Sequence, residues 1–452
     1  MRIPPATVSV GSDFVPWELL AGRLIECLAR KSANCSLGEH LKIQRRTFLG
    51  SALSATIGAA FSSCSSFRSN SIHPVVVNLP LPERSGIEHV VVVMMENRSF
   101  DHFLGWLPNA DGRQAGLSYV DQTGAIQNTF HLAGDFTGCG HIQPDHSYQG
   151  GRIQYDEGKM DGFLRSGSDI YSLGYYQEDD LTFLGALARQ YTTLDRYFCS
   201  FMGPTAPNRI FLQSGQTDRI SNTPGICQLE TIWDRLSEAG VSARCYSPVL
   251  TLWGSEYADI TYSYEDYLND AVAGQLPAVS FVDPLFSTPT GSVDDHPFAD
   301  IRNGDAFLSQ TYHALVDSPC WEKSVLIITF DEWGGFFDHV PPPRVVAPNT
   351  IDTDLIDGRA LLGLRVPSLI VSPISRGSPL HPRVNSTVFD HTSVLKLIEW
   401  RWNLRPLTAR DASGEIGNLA TALDFASRRD PLPALPVAVP VAKSPCDVSV
   451  GD

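Results

Sequence analysis

No apolar run in this chain reaches the roughly 18 to 20 residues needed to cross a bilayer, so it does not read as a polytopic membrane protein. None of the nine cysteines forms a Cys-x-x-Cys pair, which excludes zinc-ribbon and thioredoxin-like sites. Basic residues are scarce: 34 Lys and Arg stand against 50 Asp and Glu, for a net charge of −16, and no block of them forms a phosphate-tracking groove. Nucleic-acid binding is therefore not expected. The Gly-x-Ser-x-Gly elbow is absent, which argues against a Ser-His-Asp lipase or esterase. No glycine period supports a fibrous class, and 22 Phe, 14 Tyr and 8 Trp argue against disorder throughout.

The 452 residues suffice for a large core. Residues 1–64 carry seven basic and four acidic groups, leaving −19 on the rest. Within them Arg45-Arg46 precedes a small-residue apolar run, Leu49 to Phe61, too short to span a membrane but suited to a signal h-region. This reads as a twin-arginine export signal, so the expected location is periplasmic, cell-surface or secreted, with the export machinery as a partner. The alternative is a buried Ala-rich helix. Phe61 to Cys64 faintly resembles a lipoprotein box, and residues 65–80 read as a polar linker. Six cysteines follow the leader (139, 199, 227, 245, 320 and 446), enough for up to three disulfides of unknown pairing or for small buried hydrophobes.

Apolar runs bounded by turn residues predict strands at His89–Met95, Ala243–Pro248, Ala278–Asp283, Ser324–Phe330 and Pro367–Ser372. Helical spacing alternates with them at Leu181–Leu194, Leu229–Ala239, Ala306–Val316 and Thr392–Trp402. The alternation predicts an α/β sandwich around a mostly parallel sheet, one catalytic domain over residues 81–430 and an extended Pro-rich tail over 431–452. Ligands of such sheets bind beyond the carboxyl ends of the strands.

Two predicted strands end in oxygen donors. His89–Met95 runs into Glu96-Asn97, and Ser324–Phe330 into Asp331-Glu332-Trp333-Gly334-Gly335. Together they would make a four-ligand site for a hard divalent cation, although Asn97 and Asp101 could also be helix caps. Adjacent acids at the exit of an apolar strand are costly unless something positive joins them. Thr205-Ala206-Pro207-Asn208-Arg209 shares the spacing of the sulfatase Cys/Ser-x-Pro-x-Arg signature, but threonine cannot become an aldehyde, so a hydroxyl nucleophile is expected. His146, His296 and His391 each follow an aspartate.

The stretches EHVVVVMMENRSFDHFLGWL, GKMDGF, FCSFMGPTAPNRIF, DDHP, LIITFDEWGGFFDHVPPP and DHTSVLKLIEWRW cover, in order, the span from 88 to 402. They resemble the bacterial phosphoesterase family of non-haemolytic phospholipases C and a related acid phosphatase. The resemblance implies an alkaline-phosphatase-like three-layer α/β/α fold. It implies that Glu96, Asn97, Asp331 and Glu332 hold one divalent metal, of an identity left open among Ca, Mg, Mn and Zn. Thr205 would be the nucleophile, with His146 and His296 at the phosphoryl oxygens or the leaving group. Asp295, His339, His391 and Arg209 would stand behind these groups or serve structure.

The expected activity is phospholipase C hydrolysis of phosphatidylcholine-like lipids through a phospho-threonine, with peripheral membrane contact. The nearest rival is an acid phosphatase, and a more distant one a non-catalytic exported protein binding metal or lipid headgroups. Trp253, Tyr257, Tyr262 and Tyr264 are candidates for a choline pocket, or simply for core packing.

Overall fold

The computed structural model describes residues 79–285, 292–426, 432–441 and 446. Arg45-Arg46, Cys64 and most of the linker lie outside them.

The long apolar runs form the centre of a seven-stranded sheet, which comprises β1 (His89–Met95), β2 (Thr192–Leu194), β3 (Ala243–Tyr246), β4 (Val279–Val282), β5 (Ser324–Phe330), β6 (Leu369–Val371) and β7 (Arg383–Asn385). Their spatial order is β7-β2-β6-β5-β1-β4-β3. β1 pairs in parallel with both β4 and β5, whereas β6 runs antiparallel to β5 and β2. The sheet is thus mixed and mostly parallel, an α/β fold. All seven residues of β5 are buried, as are the last six of β1, which is why both read as unbroken Val, Ile and Leu runs rather than alternating ones.

The α-helices of five or more residues are α1 (Phe100–Leu104), α2 (Tyr148–Tyr155), α3 (Thr182–Gln190), α4 (Thr205–Ser214), α5 (Ile232–Glu238), α6 (Tyr264–Ala273), α7 (Ile301–Val316) and α8 (Thr392–Trp402) among the described residues. Local chemistry sets their ends. Thr231 with Asp234 and Ser263 with Asp266 form capping boxes at α5 and α6, and Asp300 caps α7. α3 stops at Gln190, so the apolar stretch expected to stay helical to Leu194 gives its last three residues to β2. Those residues are Thr-Thr-Leu, which favour extended backbone.

Cys139 and Cys446 form a disulfide, while Cys199, Cys227, Cys245 and Cys320 are free and buried. Among the described residues the cysteines therefore make one bridge, and four pack as small apolar groups. Tail residues 432–441 lie along α7, where the Ala438 and Val441 amides donate to Ser309 Oγ and Asn303 Oδ1.

Candidate active site

The register of β1 against β5 places Met95 opposite Phe330, so the next residues emerge as facing pairs. Hydrogen bonds carry the pairing past the strands. Asp331 N–H donates to the Met95 carbonyl at 3.0 Å and Arg98 N–H to the Glu332 carbonyl at 3.1 Å. Asn97 N–H donates to Asp331 Oδ1 at 3.1 Å. Glu96, Asn97, Asp331 and Glu332 are thereby gathered at one sheet edge, all buried. Gly334 makes the crossing possible: its φ is +65°, and a Cβ there would stand 2.0 Å from the Asn97 carbonyl oxygen.

Thr205 is the first residue of α4, after Pro204. Four contacts from the Asn208 side chain, to Phe201 N–H and to the Phe201, Gly203 and Pro204 carbonyls, fix the turn that delivers it. Thr205 is buried, and its hydroxyl is a minor influence on Asp331 beside the burial that raises that carboxylate. Arg209, four residues on, shares its helix face. The guanidinium lies 3.1 Å from Glu96, 3.4 Å from Asp283 and 3.6 Å from Asp331. Arg209 thus touches two of the proposed ligands directly.

Asp283, at the carboxyl end of β4, was not singled out in the sequence. Its Oδ1 accepts from Met94 N–H and its Oδ2 from Ser247. An acid ending a predicted strand beside β1 was the available signal.

His146 and His296 come together, with ring centroids 6.3 Å apart and nearly perpendicular, and His146 Nε2 lies 4.0 Å from Glu332 Oε1. Their Nδ1 atoms face the Pro144 and Pro297 carbonyls at 2.9 and 3.0 Å. That fixes the Nδ1–H tautomer and leaves Nε2 as the acceptor: His146 Nε2 faces Glu332, and His296 Nε2 accepts from the Gln143 amide at 3.2 Å. Burial, helped by their proximity, pushes His146 down to about 4, and burial does the same to His296.

His391 supports from below. Its Nε2–H donates to the Asp331 carbonyl at 2.7 Å, and burial lowers it to about 4, so the ring is neutral. Asp295 packs on Gly304 of α7, while its carbonyl takes Arg98 Nε–H at 2.7 Å. His339 does not join the Glu96 cluster; it bonds Asp101 at 2.5 Å and Asp111 at 3.2 Å. Asp101, Asp338 and His339 are close enough together to hold an ion, but Arg365 is seated there, 3.1 Å from Asp101 and 2.9 Å from Asp338. The four aromatics considered for a headgroup pocket do not gather at one place, although Trp253 and Tyr257 pack edge to face. Trp253 and Tyr257 are core residues, Tyr262 stacks under Arg244, and Tyr264 bonds Thr311.

The residues at the strand ends fit a divalent cation. Among the described residues, Asn97 Oδ1, Asp331 Oδ2 and Glu332 Oε1 are buried without a hydrogen-bond partner. Burial pushes Asp331 up to about 6, and burial together with Asp331 lifts Glu332 well above the usual carboxylate range. One guanidinium faces the carboxylates of Glu96, Asp283 and Asp331. Such a set becomes fully ionised only when further positive charge joins it.

The Phosphoesterase family profile matches residues 87–405. The non-hemolytic phospholipase C of Pseudomonas aeruginosa is 29% identical over 466 residues, covering 87% of this chain and 65% of that protein. This chain thus spans just under two thirds of the length of that relative. Phospholipase C B of Mycobacterium tuberculosis is 31% identical, over 88% of this chain and 91% of its own length. Non-specific phospholipase C1 of Arabidopsis thaliana is 32% identical over 72% and 69%. Among solved structures, the phosphonate monoester hydrolase of Agrobacterium radiobacter is similar at 12% identity and a TM-score of 0.35, over 75% of this chain and 78% of that one. On the profile and the sequence matches, the chain belongs to the Phosphoesterase family.

Proposed function

We propose that this protein is an exported phospholipase C that cleaves the glycerol side of the phosphodiester in phosphatidylcholine-like lipids, with Thr205 as the nucleophile. The observation that carries the reading is the gathering of Glu96, Asn97, Asp331 and Glu332 at one sheet edge, with Thr205 at the start of the helix whose Arg209 reaches Glu96 and Asp331, and two imidazoles alongside. The relatives named phospholipase C support the substrate class. A disulfide joining residues 307 apart supports an oxidising, extracytoplasmic setting, in keeping with the twin-arginine sequence.

Glu96, Asn97, Asp331 and Glu332 would hold a divalent ion, with Thr205 within reach of it. When bound, the metal lowers the pKa of the nucleophilic hydroxyl and offsets phosphoryl charge.

Thr205 Oγ passes its proton to solvent and bonds to phosphorus as the bond from phosphorus to the glycerol oxygen breaks. His296 delivers a proton to that oxygen, releasing diacylglycerol. A water then attacks phosphorus, gives its proton to His296 to restore the imidazolium, and Thr205 Oγ takes a proton back from solvent as phosphocholine leaves. Both imidazoles are held neutral, chiefly by burial, and the negative charge of a phosphoryl group between them favours the imidazolium that the first step needs. α4 presents the positive end of its dipole where the phosphate would sit.

The test compares purified protein on p-nitrophenylphosphorylcholine and p-nitrophenyl phosphate, with and without chelator. Fast, chelator-sensitive turnover of the choline diester, abolished in Thr205→Ala, is expected. Preference for the monoester would replace this reading with a phosphatase acting through the same site.

A further inference from the structure

A second feature lies beside the site. α6 and α7 leave a valley between them, and its walls follow helical spacing. Tyr264, Leu268 and Val272 come from one helix, and Ala306, Phe307 and Ala314 from the other. The tail closes the third side with Val437 and Ala438. The open valley has a volume of about 780 Å³, within the range that holds small ligands.

The valley is apolar in what it offers. Most of its polar groups are already engaged, Tyr264 with Thr311, Ser309 with the Ala438 amide, Asn303 with the Val441 amide, and His313 with the Ser309 carbonyl, while Gln310 and Asp317 stand exposed along α7. Apolar side chains meanwhile stand in the open, Val272 at 78% and Val437 at 69% exposure. A peptide would find few free hydrogen-bond partners in this valley, whereas a hydrocarbon needs none.

Its upper end reaches the catalytic edge. Val293 lines the valley and precedes Asp294, whose carbonyl accepts Glu96 N–H at 2.8 Å. Leu285, whose carbonyl accepts Val293 N–H at 3.2 Å, lines it at the same end, two residues after Asp283. From Asn303 to Asp317 the valley follows α7 for about 20 Å at the helical rise per residue. One leaflet of acyl chains is about 15 Å deep.

We infer that this valley holds a fatty-acyl chain of the substrate, entering beside Val293 and running down α7. The inference rests on the phospholipase reading and deepens it, because the site then grips the diacylglycerol half as well as the phosphate.

The experiment measures kcat/KM for dibutanoyl, dihexanoyl and dioctanoyl phosphatidylcholine, each below its micellar concentration, with p-nitrophenylphosphorylcholine as a chain-free reference. Wild type gains up to about fourfold for each buried methylene. Val437→Glu, on an exposed tail position, and Ala314→Trp, which fills the lower valley, lose most of the gain between hexanoyl and octanoyl. Both keep wild-type turnover of the chain-free diester, which also reports that they are folded. Equal kcat/KM for all three lipids, or variants that retain the gain, would overturn the acyl site while leaving the phospholipase reading in place. No turnover of any choline diester by wild type would overturn both.

Discussion

Gln154 spans the two sides of the site: its carboxamide oxygen accepts Trp333 Nε1–H at 2.7 Å, and its nitrogen donates to the Asp145 carbonyl at 2.5 Å. Trp333 follows the proposed ligand Glu332, and Asp145 precedes His146. One buried side chain on α2 therefore sets the distance between the strand-end acids and the imidazole. Gln154→Ala leaves an indole N–H and a carbonyl buried and unpaired, at about 1–3 kcal/mol of stability. The displacement of His146 lowers kcat by about 10²-fold. Gln154→Glu keeps the acceptor for Trp333 and loses the donor for Asp145, so its kcat should fall between the two. Equal kcat in all three proteins would show that Gln154 serves packing alone.

Gly334 is the second point at which the site depends on close backbone approach. Gly334→Ala places a methyl group 2.0 Å from the Asn97 carbonyl oxygen and strains a backbone with φ of +65°, so β1 and β5 must part at their ends. Activity should drop to background and the melting temperature should fall. Gly124→Ala is the control: its φ is +86° but nothing stands within 4 Å, so it bears only the local strain of about 1 kcal/mol. If the two variants were equally active, the Gly334 contact would not shape the site.

The proposed cation site has a thermodynamic signature independent of turnover. A ligand that binds only the folded state stabilises it, by about 2.7 kcal/mol at a hundredfold excess over Kd. Chelator-treated protein should therefore melt several degrees higher on addition of Mn²⁺ or Ca²⁺. Asn97→Ala and Glu332→Gln should abolish most of that rise, while Asp338→Asn, beside the Arg365-filled cluster, should not. An unchanged metal response in Glu332→Gln would place the ion elsewhere.

These residues also show what the sequence could convey. β1, β5 and α8 have the limits expected of them, because long apolar runs and a capped helix are local patterns. The facing of Glu96-Asn97 with Asp331-Glu332 was legible for the same reason: each pair ends a buried strand. β2 and β7 were not, since three residues of a short strand carry no period and are held by their neighbours. Gln154 and Asn208 act through partners that only the tertiary fold supplies. His339 follows the same loop as Glu332 in sequence, but the chain carries it to Asp101, beside Arg365.

Glu399 gives a pH dependence remote from the site. On the buried face of α8, burial together with the neighbouring Asp411 carboxylate raises its carboxyl to about 9. The unfolded chain binds that proton only below about 4.5, so between the two values the folded state holds more protons. The stabilising contribution is fully present below the unfolded value and is lost as pH rises through this window, at no more than about 1.4 kcal/mol per pH unit from this group. Glu399→Gln keeps a donor toward Asp411 and carries no charge at any pH. Its urea midpoint should match wild type near pH 5 and exceed it at pH 8 and above, with the gap widening toward pH 9. A constant offset between the two proteins from pH 5 to 9 would mean that Glu399 does not hold the proton.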